Sequence, residues 1–369
     1  MKQIALLLSV IVLAFQTGRT PGTESPEPEK TPKNIILLIG DGMGLTQVTA
    51  GMYSSKTPLH LERFPITGLV KTHSAKNLIT DSAAAATSMA CGCKTYNGAI
   101  GVNEKRQPCM TILEQAESFG LATGLVSSSS IVHATPAAFI AHAEQRTYME
   151  DIALDFLKTD IDLVIGGGAR YFNERSDNRD LYAELREKGY VVSDHTIEPF
   201  QQCTVSTQHP FMWFAAANQP ESVEKGRDYL PAAARLAPEY LGQRSEKGFF
   251  LMLEGAQIDW ACHDNDPERA VTEMLDFDNA IGEILRFAEK DGNTLVILTA
   301  DHETGGMALL RGREKDDLKV AFTTDYHTAT MVPIFAYGPG AEKFGGVLDN
   351  TDIYFKMREL FRFAEVKSK

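Results

Sequence analysis

The chain has 369 residues, 43% of them hydrophobic and 23% charged, which is too apolar for a disordered chain, and it carries no collagen-like or mucin-like repeat. With 49 Asp and Glu against 36 Lys and Arg, the formal charge of −13 excludes a binder that grips phosphate backbones through a basic surface. A chain of this length buries enough core to fold without metals or disulfides, so metal ligands found in it point to catalysis more than to folding.

At the N-terminus, Lys2 precedes an apolar run from Ile4 to Phe15 that is too short to span a bilayer and has the form of a secretory signal, taken as residues 1–18. No Cys follows that run closely and no second spanning run occurs, so the expectation is an exported protein, periplasmic or secreted, without a stable membrane anchor. Residues 19–33, rich in Pro, Glu, Lys and Thr, read as a flexible linker, and a single domain is expected over 34–369. The five cysteines, Cys91, Cys93, Cys109, Cys203 and Cys262, leave at least one unpaired in an oxidising compartment. None has C-x-x-C spacing, which counts against a cysteine zinc site; Cys93 can pair with Cys109, with other pairings left open.

From Asn34 to Phe361, continuous apolar runs alternate with amphipathic stretches, the pattern of buried parallel strands joined by helical crossovers. Strands are predicted at Ile35 to Ile39, Leu121 to Val126, Leu163 to Ile165, Phe249 to Leu253, Leu295 to Thr299 and Val332 to Tyr337. The fold class is therefore α/β, a three-layer α/β/α sandwich with a mostly parallel central sheet. The more polar stretch Asn173 to Gln243 reads as a mainly helical covering insertion, and Glu303 to Asp325 as a second one shaping access to the site.

Several predicted strands end in polar side chains for which an apolar sheet has no use. Asp41 follows the first, Glu254 the fourth, and Asp301 and His302 the fifth. In an open parallel sheet the carboxyl ends line one edge, where ligands bind. Three carboxylates and an imidazole converging there repel one another unless a divalent metal joins them. Asp259 and His263, four residues apart, face the same way on a helix and chelate one ion or form a surface pair; Glu254 nearby favours the metal. His302 and His327 taken singly are ordinary histidines, and their value lies in the set. Asp81 and Ser82 precede an Ala-rich run with high helix propensity. Either residue serves as a helix cap, and the same position puts the Ser82 hydroxyl at a helix N-terminus suited to phosphate.

Six segments together resemble the alkaline phosphatases, in the order in which that family carries them: Gly40-Asp41-Gly42-Met43-Gly44, Thr80-Asp81-Ser82-Ala83-Ala84, His133-Ala134-Thr135-Pro136-Ala137-Ala138, Glu254-Gly255-Ala256-Gln257-Ile258-Asp259, Thr299-Ala300-Asp301-His302-Glu303-Thr304-Gly305-Gly306 and His327-Thr328-Ala329. The resemblance covers almost all of the chain from Asn34 onward. It implies one Zn2+ held by Asp259, His263 and His327, a second by Asp41, Asp301 and His302 beside the nucleophile Ser82, and a Mg2+ completed by Asp41, Thr135 and Glu254. Arg146 matches the family's phosphate clamp, oriented by Asp81. The implied reaction is attack by Ser82 on a phosphate monoester, giving a phosphoseryl enzyme that is then hydrolysed, with broad substrate tolerance because binding falls on the phosphoryl group.

Two positions depart from the best-known bacterial pattern, which has Asp and Lys where this chain has His133 and Trp260. His133 ligates or orients the third ion, whose identity this leaves open, and Trp260 removes a cation from beside the phosphate. Only 24 residues separate His302 from His327, which implies a reduced insertion and a homodimer with a smaller interface. A sulfatase would need a C-x-P-x-R motif, which none of the five cysteines begins. A phosphodiesterase of the same superfamily typically has Thr as nucleophile. Nucleic acid is expected only as a source of terminal phosphates.

Overall fold

The computed structural model describes residues 31–311 and 318–363. The signal segment 1–18, the linker up to Lys30 and part of the 303–325 stretch lie outside the described residues. The core is a ten-stranded sheet in the spatial order β14 (Gly346–Asp349), β2 (Ile66–Lys71), β13 (Val332–Tyr337), β8 (Thr294–Thr299), β1 (Asn34–Gly40), β7 (Phe249–Gly255), β3 (Ala122–Ser130), β4 (Leu163–Gly167), β6 (Phe211–Phe214) and β5 (Val191–Asp194). Among these, β13 runs antiparallel to both its neighbours and the remaining pairings are parallel. Four short strands, β9 (Glu303–Thr304), β10 (Ala308–Arg311), β11 (Lys319–Ala321) and β12 (His327–Thr328), form two separate antiparallel pairs.

The central strands are buried on both faces, which is why they are continuous in Ile, Leu, Val and Phe. One helical layer contains Leu45–Ser54, Leu230–Arg244 and Pro267–Asp291, packed on one another; the other contains Ser82–Cys91, Ile112–Ser118 and Asn350–Leu360. The helix Ser82–Cys91 is buried at every position, so small Ala residues let it pack closely on all sides. Asp81 caps it by accepting from Ala84 N at 3.0 Å, and Gly92 closes it at φ +70°.

The six predicted strands fall on β1, β3, β4, β7, β8 and β13; the sheet strands β2 and β14 lie outside the predicted set, and two further differences occur. The third strand extends through Ser127–Ser130, which the apolar pattern placed beyond its end. The 173–243 stretch, expected to be mainly helical, also supplies β5 and β6 to one margin of the sheet. Strands of four residues are too short for periodicity to separate them from their surroundings.

Register sets the height of the polar strand ends. Ile39 of β1 is level with Glu254 of β7 on one side and Thr299 of β8 on the other, and Glu254 is level with Ser127 of β3. The four strands β8, β1, β7 and β3 are consecutive in space, so Asp41, Glu254, Asp301 and the segment after Ser130 emerge side by side at one edge.

Candidate active site

Helix Gln257–His263 starts directly after β7 and carries Asp259 and His263 on one face. His327 lies in β12, which pairs with β9. The His263 and His327 Nε2 atoms are 3.1 Å apart, and they lie 3.4 and 3.7 Å from the Asp259 carboxylate oxygens. Both rings point their Nδ1 at main-chain carbonyls, of Asp325 at 2.6 Å and Thr80 at 2.9 Å, which assigns the Nδ1 protons and turns Nε2 inward. Separations of about 3.3 Å are those of ligand atoms around one tetrahedral ion.

A second group forms where β1 and β8 end. His302 Nε2 lies 3.1 Å from Asp301 Oδ2, 3.5 Å from Asp41 Oδ1 and 3.3 Å from Ser82 Oγ. Asp301 Oδ1 accepts from the main-chain N–H of Gly42 and of His302, leaving Oδ2 turned inward. Gly42 has φ +70°, and a Cβ there would sit 2.7 Å from Asp259 Cα and 2.8 Å from Thr304 Oγ1; a bare backbone is what lets the segment pass. His302 also lies close enough to Asp259 and His327 to form a group with them, but its Nε2 is the atom that faces Asp41, Asp301 and Ser82.

The third group is Asp41, His133 and Glu254, with Thr135 two residues after His133 in the short helix that His133 begins. Glu254 Oε2 accepts from Ser127 Oγ and from Ser129 Oγ, the latter at 3.2 Å. Both Asp41 oxygens, Asp301 Oδ2, Glu254 Oε1, Thr135 Oγ1 and His133 Nδ1 are buried and take part in no hydrogen bond. Buried polar atoms left unpaired in this number are costly, and a set rich in carboxylate and imidazole fits divalent cations.

The electrostatics agree. Burial, with the charges of Asp301, Asp259 and Glu254, pushes Asp41 well above the usual carboxylate range. Burial raises Glu254 to about 7. Burial also depresses His133 to about 3, helped by Arg146, and His327 to about 4, helped by His302, so both stay neutral and able to ligate. His263, hydrogen-bonded to Asp259, is raised to about 9.

Above the three groups opens a cavity of about 310 Å³, lined by Asp81, Ser82, His133, Arg146, Asp259, Trp260, His263, Tyr326 and His327. Arg146 donates to Asp81 Oδ2 at 3.2 Å and its other terminal nitrogen lies 3.3 Å from His133 Nε2. Trp260 meets His133 edge to face at 5.8 Å. A larger cavity, about 610 Å³ between 200–207 and helix Leu230–Arg244, gathers no ligating cluster, so chemistry and not size selects the site.

All thirteen side chains singled out from the sequence therefore gather at one edge of the sheet. Others were missed. Tyr326 stacks on His327 at 4.6 Å and 7°, half exposed in the cavity wall. Thr304 Oγ1 donates to Asp259 and lies 3.2 Å from His302 Nδ1. The run Ser127 to Ser130 at the end of an apolar strand was the available signal for the Glu254 partners.

A family model described as alkaline phosphatase matches residues 32–315. Alkaline phosphatase 4 of Bacillus subtilis is 32% identical, with 96% of this chain and 95% of that protein covered. The Escherichia coli alkaline phosphatase is 32% identical over 89% of this chain and 86% of its own. Among solved structures, the alkaline phosphatase of the Antarctic bacterium TAB5 superposes with a TM-score of 0.85 at 39% identity, covering 92% of this chain and 100% of that one. Variants of that protein with one histidine changed to Asp or Glu are described with Mg bound in a site named M3.

Proposed function

The chain belongs to the alkaline phosphatase family and hydrolyses phosphate monoesters, and from that premise we propose that Ser82 is its nucleophile, working beside two zinc ions and a third divalent ion, magnesium in the family pattern, whose identity His133 leaves open. The observation that carries this reading is the place of Ser82: first residue of a wholly buried helix, its Oγ 3.3 Å from His302 Nε2, in the wall of the cavity that Arg146 also lines.

Asp259, His263 and His327 hold the first ion, Asp41, Asp301 and His302 with Ser82 the second, and Asp41, His133, Thr135 and Glu254 the third. When bound, the ions supply positive charge that stabilises the entering and leaving oxygens of phosphoryl transfer. Arg146 offers its planar fork to two phosphate oxygens. Asp81 holds that fork and, through its cap on Ala84, also holds the helix that presents Ser82. The helix N-terminus adds partial positive charge at the phosphoryl group. Ser82 Oγ attacks phosphorus in line with the departing alcohol oxygen, giving a phosphoseryl enzyme, and water attacks that ester from the vacated side to release inorganic phosphate. Trp260 and Tyr326 are the neutral walls around the alcohol half, which supports a broad substrate range.

That Mg is described in TAB5 variants whose histidine is replaced by Asp or Glu supports leaving the third ion's identity open at a site to which a histidine, here His133, contributes. The N-terminal apolar run supports export, and no helix among the described residues is long and apolar enough to cross a membrane. The short span between His302 and His327 supports a reduced insertion, which leaves the expected homodimer a smaller interface.

The test is release of phosphate from p-nitrophenyl phosphate at alkaline pH by intact protein, chelated protein, chelated protein with zinc and magnesium restored, and Ser82→Ala. Activity lost on chelation and regained only with both metals, and reduced on the order of 10³-fold or more in Ser82→Ala, is the expected result. A Ser82→Ala protein of full activity overturns the assignment.

A further inference from the structure

Outside the site, the described residues bring three cysteines together. Cys93 Sγ and Cys109 Sγ lie 3.0 Å apart, about 1 Å beyond the length of a disulfide bond. Cys91 Sγ donates to the Cys109 carbonyl oxygen at 3.4 Å and also neighbours the Cys93 thiol; it is buried, whereas Cys93 and Cys109 are both partly exposed. A metal does not explain the cluster. His142, the nearby imidazole, has both nitrogens engaged, by the Gly101 carbonyl at 2.7 Å and by Glu114 at 3.0 Å. The metal-competent groups among the described residues contain no cysteine.

The loop between the two cysteines reaches the catalytic groups. Cys93 follows the helix that begins at Ser82, and Cys109 precedes Thr111, the cap of helix Ile112–Ser118. Within the loop, Gly98 N–H donates to Asp81 Oδ2 at 2.9 Å, and the Gly98 carbonyl accepts from Arg146 N at 2.8 Å. Gly98 thus ties both the Asp81 carboxylate and the main chain of Arg146 to the loop. Thr87, in the Ser82 helix, ties the same loop by donating to the Ala99 carbonyl and accepting from Gly101 N, each at 3.0 Å.

We propose that Cys93 and Cys109 are joined by a disulfide in the mature protein, closing the loop that carries Gly98 and so fixing the phosphate-clamping Arg146. The cross-link forms by exchange with an oxidised disulfide acceptor. One thiolate attacks the acceptor and makes a mixed disulfide, the second displaces the acceptor's remaining thiol, and the two protons and two electrons of the cysteine pair leave with the reduced acceptor. The functional consequence rests on Arg146 binding phosphate, as argued above; the bond itself does not.

The experiment uses the full-length, metal-loaded protein, reduced and then equilibrated with oxidised glutathione, alkylated under denaturing conditions and digested for mass spectrometry. The expected result is a peptide pair linked through Cys93 and Cys109, with Cys91, Cys203 and Cys262 alkylated. Alkylated Cys93 and Cys109, stable glutathione adducts on them, or a link from Cys91 to either of them overturn the proposal. In parallel, oxidised and reduced samples are compared for thermal midpoint and for the inhibition constant of inorganic phosphate. Reduction lowers the midpoint by about 5 °C and raises the inhibition constant about threefold, with kcat little changed. Cys93→Ser and Cys109→Ser lose both responses and Cys91→Ser keeps them. A linked pair with no change in the phosphate constant overturns the clamp and leaves the bond, and both outcomes are separate from whether Ser82 is the nucleophile.

Discussion

The Nε2 atoms of His263 and His327 approach to 3.1 Å while each ring already gives its Nδ1 proton to a main-chain carbonyl. Two inward lone pairs at that distance repel one another unless a cation lies between them. In the absence of metal a proton takes that place, and the Asp259 hydrogen bond raises His263 to about 9 to keep it.

Metal binding at this group must therefore displace a proton from His263. A group with its pKa raised to about 9 is protonated below that pH, so the apparent zinc affinity falls as pH falls, by about tenfold per unit, and levels off above about pH 9. Competition titrations against a chromophoric chelator between pH 6 and 10 measure the slope. A flat profile would show that His263 is not a ligand.

Thr304 joins two of the ligand groups. Its Oγ1 donates to Asp259 and lies 3.2 Å from His302 Nδ1, so one hydroxyl orients a ligand of the first ion and a ligand of the second. Thr304→Val keeps the shape and removes both bonds. The expected loss is about 10- to 100-fold in zinc affinity, with activity recovering at high zinc. Wild-type affinity in the variant refutes the positioning role.

Trp260 lines the cavity with Arg146 and rests on His133 at 5.8 Å. Trp260→Lys adds a cation beside the phosphate position and is expected to lower the inhibition constant of inorganic phosphate, by about fivefold for a partly screened charge. Slower product release and a lower kcat should accompany the tighter binding. An unchanged constant ends this account of the tryptophan.

Glu117, far from the site, accepts from Thr123 Oγ1 at 3.0 Å and from Asp160 N at 3.3 Å, yet burial raises it to about 7. Its folded pKa lies above the unfolded value, so the native state holds the extra proton between about pH 4.5 and 7. Stability contributed by the protonated form is present below that window and is lost as pH rises through it. Glu117→Gln removes the titration, and above pH 7 it should stabilise the protein by about 1–2 kcal/mol after allowance for partial exposure. Denaturant melts of both proteins at pH 5 and 8 provide the check: a gain at pH 5 as large as at pH 8 excludes this cause.

What the sequence by itself determined is local. A continuous apolar run ending in a carboxylate identified β1, β7 and β8 with Asp41, Glu254 and Asp301, because burial on both faces makes polarity at a strand end conspicuous. The four-residue spacing of Asp259 and His263 placed both on one helical face, and the family motifs supplied His133, Thr135, Arg146 and His327, which no local pattern distinguishes from ordinary polar residues. The tertiary structure decided the rest. It set the order β8, β1, β7, β3 that brings those ends together, the two strands of the 173–243 stretch at the sheet margin, and the contacts of Thr304, Ser127 and Gly98. These depend on pairings between segments far apart in the chain. Periodicity reports only which face of an element is buried, while strand order and hydrogen-bond partners follow from how all the buried faces are satisfied at once.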